Sequence, residues 1–176
     1  GASFHQSRFA DVFGIVLALS FSPQGEYLAM GDSSGTVRLH RPTDLQTQVL
    51  FEGHTSRVMS ISWRPDGQQL ASASMDGTAR LWNVHTGQAL ATLVGHENLV
   101  MSVSWHPDAT VLATGSEDHT IRLWDADTGE PRGVWRGHTD SVRSVCWSPD
   151  GRSLASASAD GTVRLWDWAT GESQVL

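Results

Sequence analysis

Histidine, hydroxyl and carboxylate residues stand three times in the same order in this chain: His54, Ser72 and Asp76; His96, Thr114 and Asp118; His138, Ser156 and Asp160. Within each set the steps are 18 and 4 residues. These side chains are the parts of a nucleophilic triad, in which a carboxylate orients a histidine that activates a hydroxyl. An enzyme needs one such set, with its nucleophile open to substrate. A set that returns every 42 residues reads instead as framework. By type the three histidines are also zinc-ligand candidates. Their 42-residue spacing assigns them to three separate structural units, so neither a metal site nor any other cofactor is expected.

The same period governs the residues around them. Gly-His recurs at Gly53-His54, Gly95-His96 and Gly137-His138, a tryptophan at Trp63, Trp105 and Trp147, and Arg-Leu-Trp ending at Trp82, Trp124 and Trp166. One step earlier a degraded copy is visible. Ser20-Phe21 stands for Ser62-Trp63, Pro23-Gln24-Gly25 for Pro65-Asp66-Gly67, and Gly35 through Leu39 for Gly161 through Leu165. Four units result, 11–52, 53–94, 95–136 and 137–176, after a leading segment 1–10. Self-similarity at this period marks a repeat architecture.

Each unit reads as four short strands between turn signals. In the second unit they are Val58–Trp63, Gln69–Ser74, Ala79–Asn83 and Ala89–Leu93, and Asp76-Gly77 predicts a two-residue hairpin turn between the middle pair. No window has helical periodicity with caps, so the chain is expected to be all-β. A four-stranded sheet of this size cannot bury its faces alone, and neighbouring sheets must stack.

The Gly-His to Trp-Asp spacing, with Trp124-Asp125 and Trp166-Asp167 complete and Trp82-Asn83 one residue off, resembles the WD-repeat β-propeller family. The resemblance covers nearly the whole chain and implies four blades of four antiparallel strands. It also implies a buried tetrad in each blade. His54, Ser72, Asp76 and Trp82 form the first; His96, Thr114, Asp118 and Trp124 the second; His138, Ser156, Asp160 and Trp166 the third. The histidine donates to the carboxylate and donates to or accepts from the hydroxyl, which accepts from the indole. The first unit lacks the set: Asp11-Val12 replaces Gly-His, Met30 the hydroxyl, Ser34 the carboxylate and His40 the tryptophan. Apolar packing by Phe9, Phe13, Phe21 and Tyr27 is expected there instead.

Propellers of this kind usually need six to eight blades, so four leave an apolar blade face open at each end. Residues His5–Phe9 align with the outer strand Thr47–Phe51, as for a strand that closes a last blade, and Ser173–Leu176 begin an outer strand that stops early. Two expectations follow: a pair of chains closing an eight-blade ring, or missing blades supplied by the same polypeptide. Gly1-Ala2-Ser3 reads as a cloning scar and the chain as an excised piece of a propeller that continues beyond Leu176. The segment Ser7–Gly14 is similar to the junction before the propeller in bacterial NACHT or NB-ARC signalling ATPases, which implies a sensor module.

In the family, partners commonly bind the narrow face around the channel mouth. The resemblance places Leu17, Met59, Met101 and Arg143 there, beside Ile15, Arg57, Leu99 and Ser141, and Ser33, Met75, Glu117 and Ala159. Arg57, Met59, Met75, Leu99, Met101, Glu117 and Arg143 are the candidate contacts for a protein or peptide partner, with Arg57 and Arg143 as anchors for an acidic group. Methionine suits adaptable recognition surfaces. The alternative is that these residues pack within the ring.

Composition narrows the function classes. The net charge is −7 and the 12 basic residues, all arginine, are scattered singly. Nucleic-acid binding by phosphate neutralisation needs a clustered positive surface, and without lysine there is no side-chain amine for Schiff-base chemistry. No run approaches the length of a membrane span, and a cytoplasmic location fits best. The single cysteine, Cys146, excludes an internal disulfide and is expected as an inert, half-buried strand thiol. His119, at the glycine position of an Asp-Gly turn, requires a positive φ; Trp135 and Trp168 lie outside the repeated tryptophan positions and predict surface stacking. The sum is a binding scaffold rather than an enzyme.

Overall fold

The computed structural model describes residues 14–43 and 46–176, and these form strands and turns throughout. The first sheet contains β1 (Val16–Phe21), β2 (Leu28–Asp32), β3 (Val37–His40) and β4 (Thr47–Phe51); the second contains β5 (Val58–Trp63), β6 (Gln69–Ser74), β7 (Ala79–Asn83) and β8 (Ala89–Leu93). The third is β9 (Val100–Trp105), β10 (Val111–Ser116), β11 (Thr120–Asp125) and β12 (Pro131–Arg136). The fourth is β13 (Val142–Trp147), β14 (Ser153–Ser158), β15 (Val163–Asp167) and the three-residue β16 (Ser173–Val175). Each sheet is an antiparallel meander in sequence order. The expected closing strand His5–Phe9, and with it Phe9, Asp11, Val12 and Phe13, lies outside the described residues.

The hydrophobic core lies between sheets, one cluster to each junction. Ala29, Val37, Leu39 and Phe51 of the first blade meet Val58, Ile61, Trp63, Leu70 and Trp82 of the second. Ala71, Ala73, Ala79, Leu81 and Leu93 meet Val100, Val103, Trp105, Leu112 and Trp124 at the next junction. Ala113, Ile121 and Leu123 meet Val142, Val145, Trp147, Leu154 and Trp166 at the last. At each junction the outgoing side carries small residues on its second strand and the incoming side carries tryptophan. That asymmetry lets ridges of one sheet enter hollows of the next. Where Ala73 has a side chain, Gly31 and Gly115 have none; a Cβ there would stand 2.6 and 2.7 Å from Val58 Cγ1 and Val142 Cγ1.

Hydroxyls stitch the inner strands across the junctions. Ser60 Oγ accepts from Val103 N at 3.3 Å and Ser62 Oγ from Trp105 N at 3.2 Å. Ser102 and Ser104 repeat this toward Val145 N and Trp147 N at 3.1 and 3.3 Å. At the last junction Trp135 stacks on Trp166, with ring centroids 5.4 Å apart, and Trp168 meets Trp147 edge-on. Trp135, on an outer strand, thus stacks across the junction, whereas Trp168 meets Trp147 within the fourth blade.

Four expectations are corrected. The Asp76-Gly77 hairpin has a three-residue loop: Gly77 N bonds Ser74 O and Ser74 N bonds Thr78 O, a type I turn over Met75 and Asp76 followed by left-handed Gly77. Phe21 does not pack in the first blade. It is 61% exposed, whereas Tyr27 does pack against the first cluster. Cys146, on the outgoing side of the fourth blade, is exposed rather than half-buried. The first blade keeps a buried carboxylate, Asp32, described below.

Two non-glycine residues take positive φ, His119 at 68° as the turn pattern required, and Ala109 at 65°. Ala109 stands where the other blades have Gly25, Gly67 and Gly151, at φ 71–75°. Left-handed backbone costs an alanine about 1–2 kcal/mol. Ala109→Gly is therefore expected to stabilise the fold by about 1 kcal/mol, raising Tm by about 2–4 °C; an unchanged or lower Tm in thermal unfolding would contradict this.

Candidate functional site

In each of the last three blades the entering loop carries the histidine, and the turn between the second and third strands carries the aspartate. In the second blade His54 Nδ1 lies 2.7 Å from Asp76 Oδ2, His54 Nε2 lies 2.7 Å from Ser72 Oγ, and Trp82 Nε1 donates to Ser72 Oγ at 2.7 Å. His96, Asp118, Thr114 and Trp124 repeat the chain at 2.7–2.8 Å, as do His138, Asp160, Ser156 and Trp166. The glycine before each histidine makes room for the arginine and tryptophan of the third strand. A Cβ at Gly53, Gly95 or Gly137 would lie 2.8–3.2 Å from the guanidinium of Arg80, Arg122 or Arg164.

The donor inventory fixes the direction of these chains. An ionised carboxylate only accepts, so Nδ1 carries the proton. Burial lowers the pKa of His54, outweighing the opposing pull of Asp76, and holds the ring neutral. Nε2 is then an acceptor, the Ser72 hydroxyl donates to it, and its oxygen accepts the indole N–H. A hydroxyl engaged on both sides and enclosed in the blade is a structural link.

Each aspartate does more than the repeat pattern suggested. Asp76 Oδ2 also accepts from Thr55 N at 3.1 Å, and Oδ1 from Thr78 N at 2.9 Å and Thr78 Oγ1 at 2.7 Å. Thr120 and Thr162 serve Asp118 and Asp160 likewise. These threonines were missed, although each stands two residues after its aspartate in register with the repeat. Burial alone would raise the pKa of Asp76 and Asp118, but the bonds from threonine, histidine and backbone outweigh it and both are lowered. At Asp160 the Thr162 bond leads and the pKa is likewise lowered.

In the first blade the polar role moves two residues along the turn. Asp32, at the position of Ser74, is buried and accepts from Ser34 N at 2.8 Å, Ser34 Oγ at 2.5 Å, Thr36 N at 3.3 Å and Arg38 Nη1. Burial opposes ionisation, yet the Ser34, Arg38 and Thr36 bonds hold its pKa below the ordinary value. The first blade has thus replaced the tetrad with a carboxylate–arginine pair.

The candidate contact positions gather directly above these turns. Met75 N bonds Arg57 O and Glu117 N bonds Leu99 O, both at 2.9 Å; Ser33 with Ile15 and Ala159 with Ser141 do the same. Leu17, Met59, Met101 and Arg143 fall at the register break of the first strand, between the paired residues Val16 and Ala18, Val58 and Ser60, Val100 and Ser102, and Val142 and Ser144. A bulge re-aims the side chain of its extra residue. Met59, Met75, Leu99, Met101 and Glu117 are half-exposed, Arg57 and Arg143 exposed, and Ser141 buried. Arg143 Nη1 lies 3.0 Å from Glu117 Oε1, an exposed pair that ties the fourth blade to the third. Among the described residues, no histidine, cysteine and carboxylate group together to hold a metal ion.

Two outcomes test this geometry. Asp118→Ala leaves His96, Thr120 and the Glu97 amide short of an acceptor and is expected to cost about 1–3 kcal/mol; a Tm equal to the parent's would refute it. The pH profile carries a sign. The lowered aspartate pKa values give stability that is complete above about pH 4 and lost as pH falls through the folded values; lowered His54 subtracts stability once pH drops below about 6.5, where the unfolded chain binds the proton. Tm is expected to decline gently from neutrality and steeply below about pH 4, and a Tm independent of pH down to the acid limit would contradict the assignment.

A profile of the family described as "WD domain, G-beta repeat" matches residues 9–41, 45–83, 87–125 and 129–167. Among curated proteins, none matches the chain. Four sheets of four strands, each of the last three joined by its His–Asp–hydroxyl–Trp chain, and four consecutive matches over most of the sequence place this protein in the WD-repeat family.

Proposed function

We propose that this chain is a protein-interaction scaffold that receives its partner on the face formed by the turns above the tetrads. The observation that carries the reading is the bulge at the head of each inner strand, which lifts Met59 and Met101 out of the ladder beside Arg57, Met75 and Leu99. Four flexible apolar side chains around an exposed guanidinium suit a segment with an apolar anchor and a neighbouring carboxylate. Arg57 is the cation for that carboxylate; Arg143 is engaged by Glu117.

A binding role also accounts for the histidine, aspartate and hydroxyl groups, all consumed in buried links, and we propose that the chain is not an enzyme. A sensor role within a signalling protein would use the same face. Among the described residues, no helix is long and apolar enough to cross a membrane. The unbridged Cys146 thiol is compatible with the proposed cytoplasmic setting.

The test is selection of binding peptides from a random library on the immobilised protein. Enriched peptides are expected to combine an apolar residue with Asp or Glu, and to lose at least tenfold in affinity on Arg57→Glu or on Met59→Glu with Met101→Glu, at an unchanged Tm. Binders unaffected by either change would reject the site.

A further inference from the structure

We infer that Met59, Met75 and Met101 form a reversible oxidation site that switches off the partner face, an inference that rests on the proposed role of that face. The oxidant is a peroxide, and the product at each position is methionine sulfoxide.

The chain holds four methionines, and three of them stand at the heads of the second and third blades. Met59 and Met101 are the extra residues of the strand bulges, between the paired residues Val58 and Ser60 and between Val100 and Ser102. Met75 directly precedes the tetrad residue Asp76, and its amide bonds Arg57 O at 2.9 Å. The two bulged strands, β5 and β9, adjoin across a blade junction, where Ser60 Oγ accepts from Val103 N at 3.3 Å. All three methionines are half-exposed. The fourth, Met30, pairs with Leu19 and Arg38 inside the first sheet.

The backbone does not demand methionine at these places. Leu17 and Arg143 occupy the same bulge in the first and fourth blades, and Ser33, Glu117 and Ala159 occupy the same turn position as Met75. What methionine adds is a flexible apolar side chain that ends in a divalent, polarisable sulfur. That sulfur is concentrated around one junction of the face.

The step balances in atoms and electrons. A sulfur lone pair attacks one oxygen of hydrogen peroxide, the S–O bond forms and the O–O bond breaks. The departing oxygen takes the proton of the transferred one and leaves as water, while sulfur gives up two electrons. A dithiol-dependent sulfoxide reductase reverses the change, returning the oxygen as water and closing its dithiol to a disulfide, with one enzyme for each sulfoxide epimer.

Oxidation turns an apolar side chain into a polar one. Sulfoxides at these three positions remove the apolar anchor site and place new hydrogen-bond acceptors beside Arg57, where they compete with a partner's carboxylate. The tetrad below contains no methionine, since His54, Ser72, Asp76 and Trp82 bond only among themselves and to neighbouring backbone and threonine groups. The face changes while the fold holds.

The test uses the whole chain carrying Cys146→Ser, which removes the competing thiol and gives the fourth blade the serine of Ser62 and Ser104. It is treated with hydrogen peroxide and followed by peptide mass spectrometry, thermal unfolding and affinity for the library-selected peptides. All three methionines are expected to gain oxygen at rates within about tenfold of those in the urea-unfolded chain, with affinity reduced about tenfold or more at an unchanged Tm. The two classes of methionine sulfoxide reductase are expected to restore binding. The triple variant Met59→Leu, Met75→Leu, Met101→Leu is expected to lose no affinity on the same treatment, with the single changes replacing it if it fails to fold. Methionines that resist peroxide overturn the inference, as does an oxidised chain that binds as before. So does a loss of affinity that comes with a fallen Tm, that the reductases leave in place, or that is equally large in the leucine variant. Binders indifferent to Met59→Glu with Met101→Glu reject the partner face and the switch with it; binders weakened by glutamate but not by peroxide reject the switch alone.

Discussion

No blade of this protein has an interior of its own. A four-stranded sheet has two faces and no space between them, so every large apolar side chain must find its cover on another sheet. The three hydrophobic clusters lie one to each junction, and Trp82, Trp124 and Trp166 are buried against the blade that precedes them. Full burial of a side chain of this size is worth about 1.5–3 kcal/mol or more. Stability is therefore a property of neighbouring pairs, as in other quasi-one-dimensional repeat proteins.

The tetrads make sense within that constraint. Apolar packing between twisted sheets tolerates small slips, whereas a directed chain of hydrogen bonds does not. By linking the entering loop, the second strand, the turn and the third strand, each tetrad fixes how a blade leaves its predecessor and where its turn stands. The same turns and bulges carry Arg57, Met59, Met75, Leu99 and Met101, so the rigidity bought inside the blade holds the proposed contact surface in shape. The first blade reaches the same end with Asp32 and Arg38, and it shows that the requirement is a satisfied carboxylate in the turn rather than one fixed set of residues.

Much of this is legible in the sequence because a repeat presents each structural demand several times. The four strands of the second blade fall on the expected residues, and the periodic His, Asp, hydroxyl and Trp come together at hydrogen-bonding distance. What escapes a periodic reading is whatever breaks the period or depends on position in the array. Asp32 was hidden because it sits two residues from the expected carboxylate site. Phe21 stands where Trp63, Trp105 and Trp147 are buried, and its type gives no sign of its exposure; Cys146, at the position of the half-buried Ser62 and Ser104, is exposed as well. The Arg143–Glu117 pair joins different blades at positions that carry no charge elsewhere in the repeat, so spacing alone gave no sign of it.

The dependence of each blade on its neighbours is tested most directly by residues 53–94 alone. That segment holds four strands and a complete tetrad, His54, Ser72, Asp76 and Trp82. Circular dichroism and amide dispersion in solution are expected to show an unfolded chain, because its apolar faces have no cover. A folded sheet with a cooperative melt would contradict the claim that junctions, rather than blades, are the stable unit.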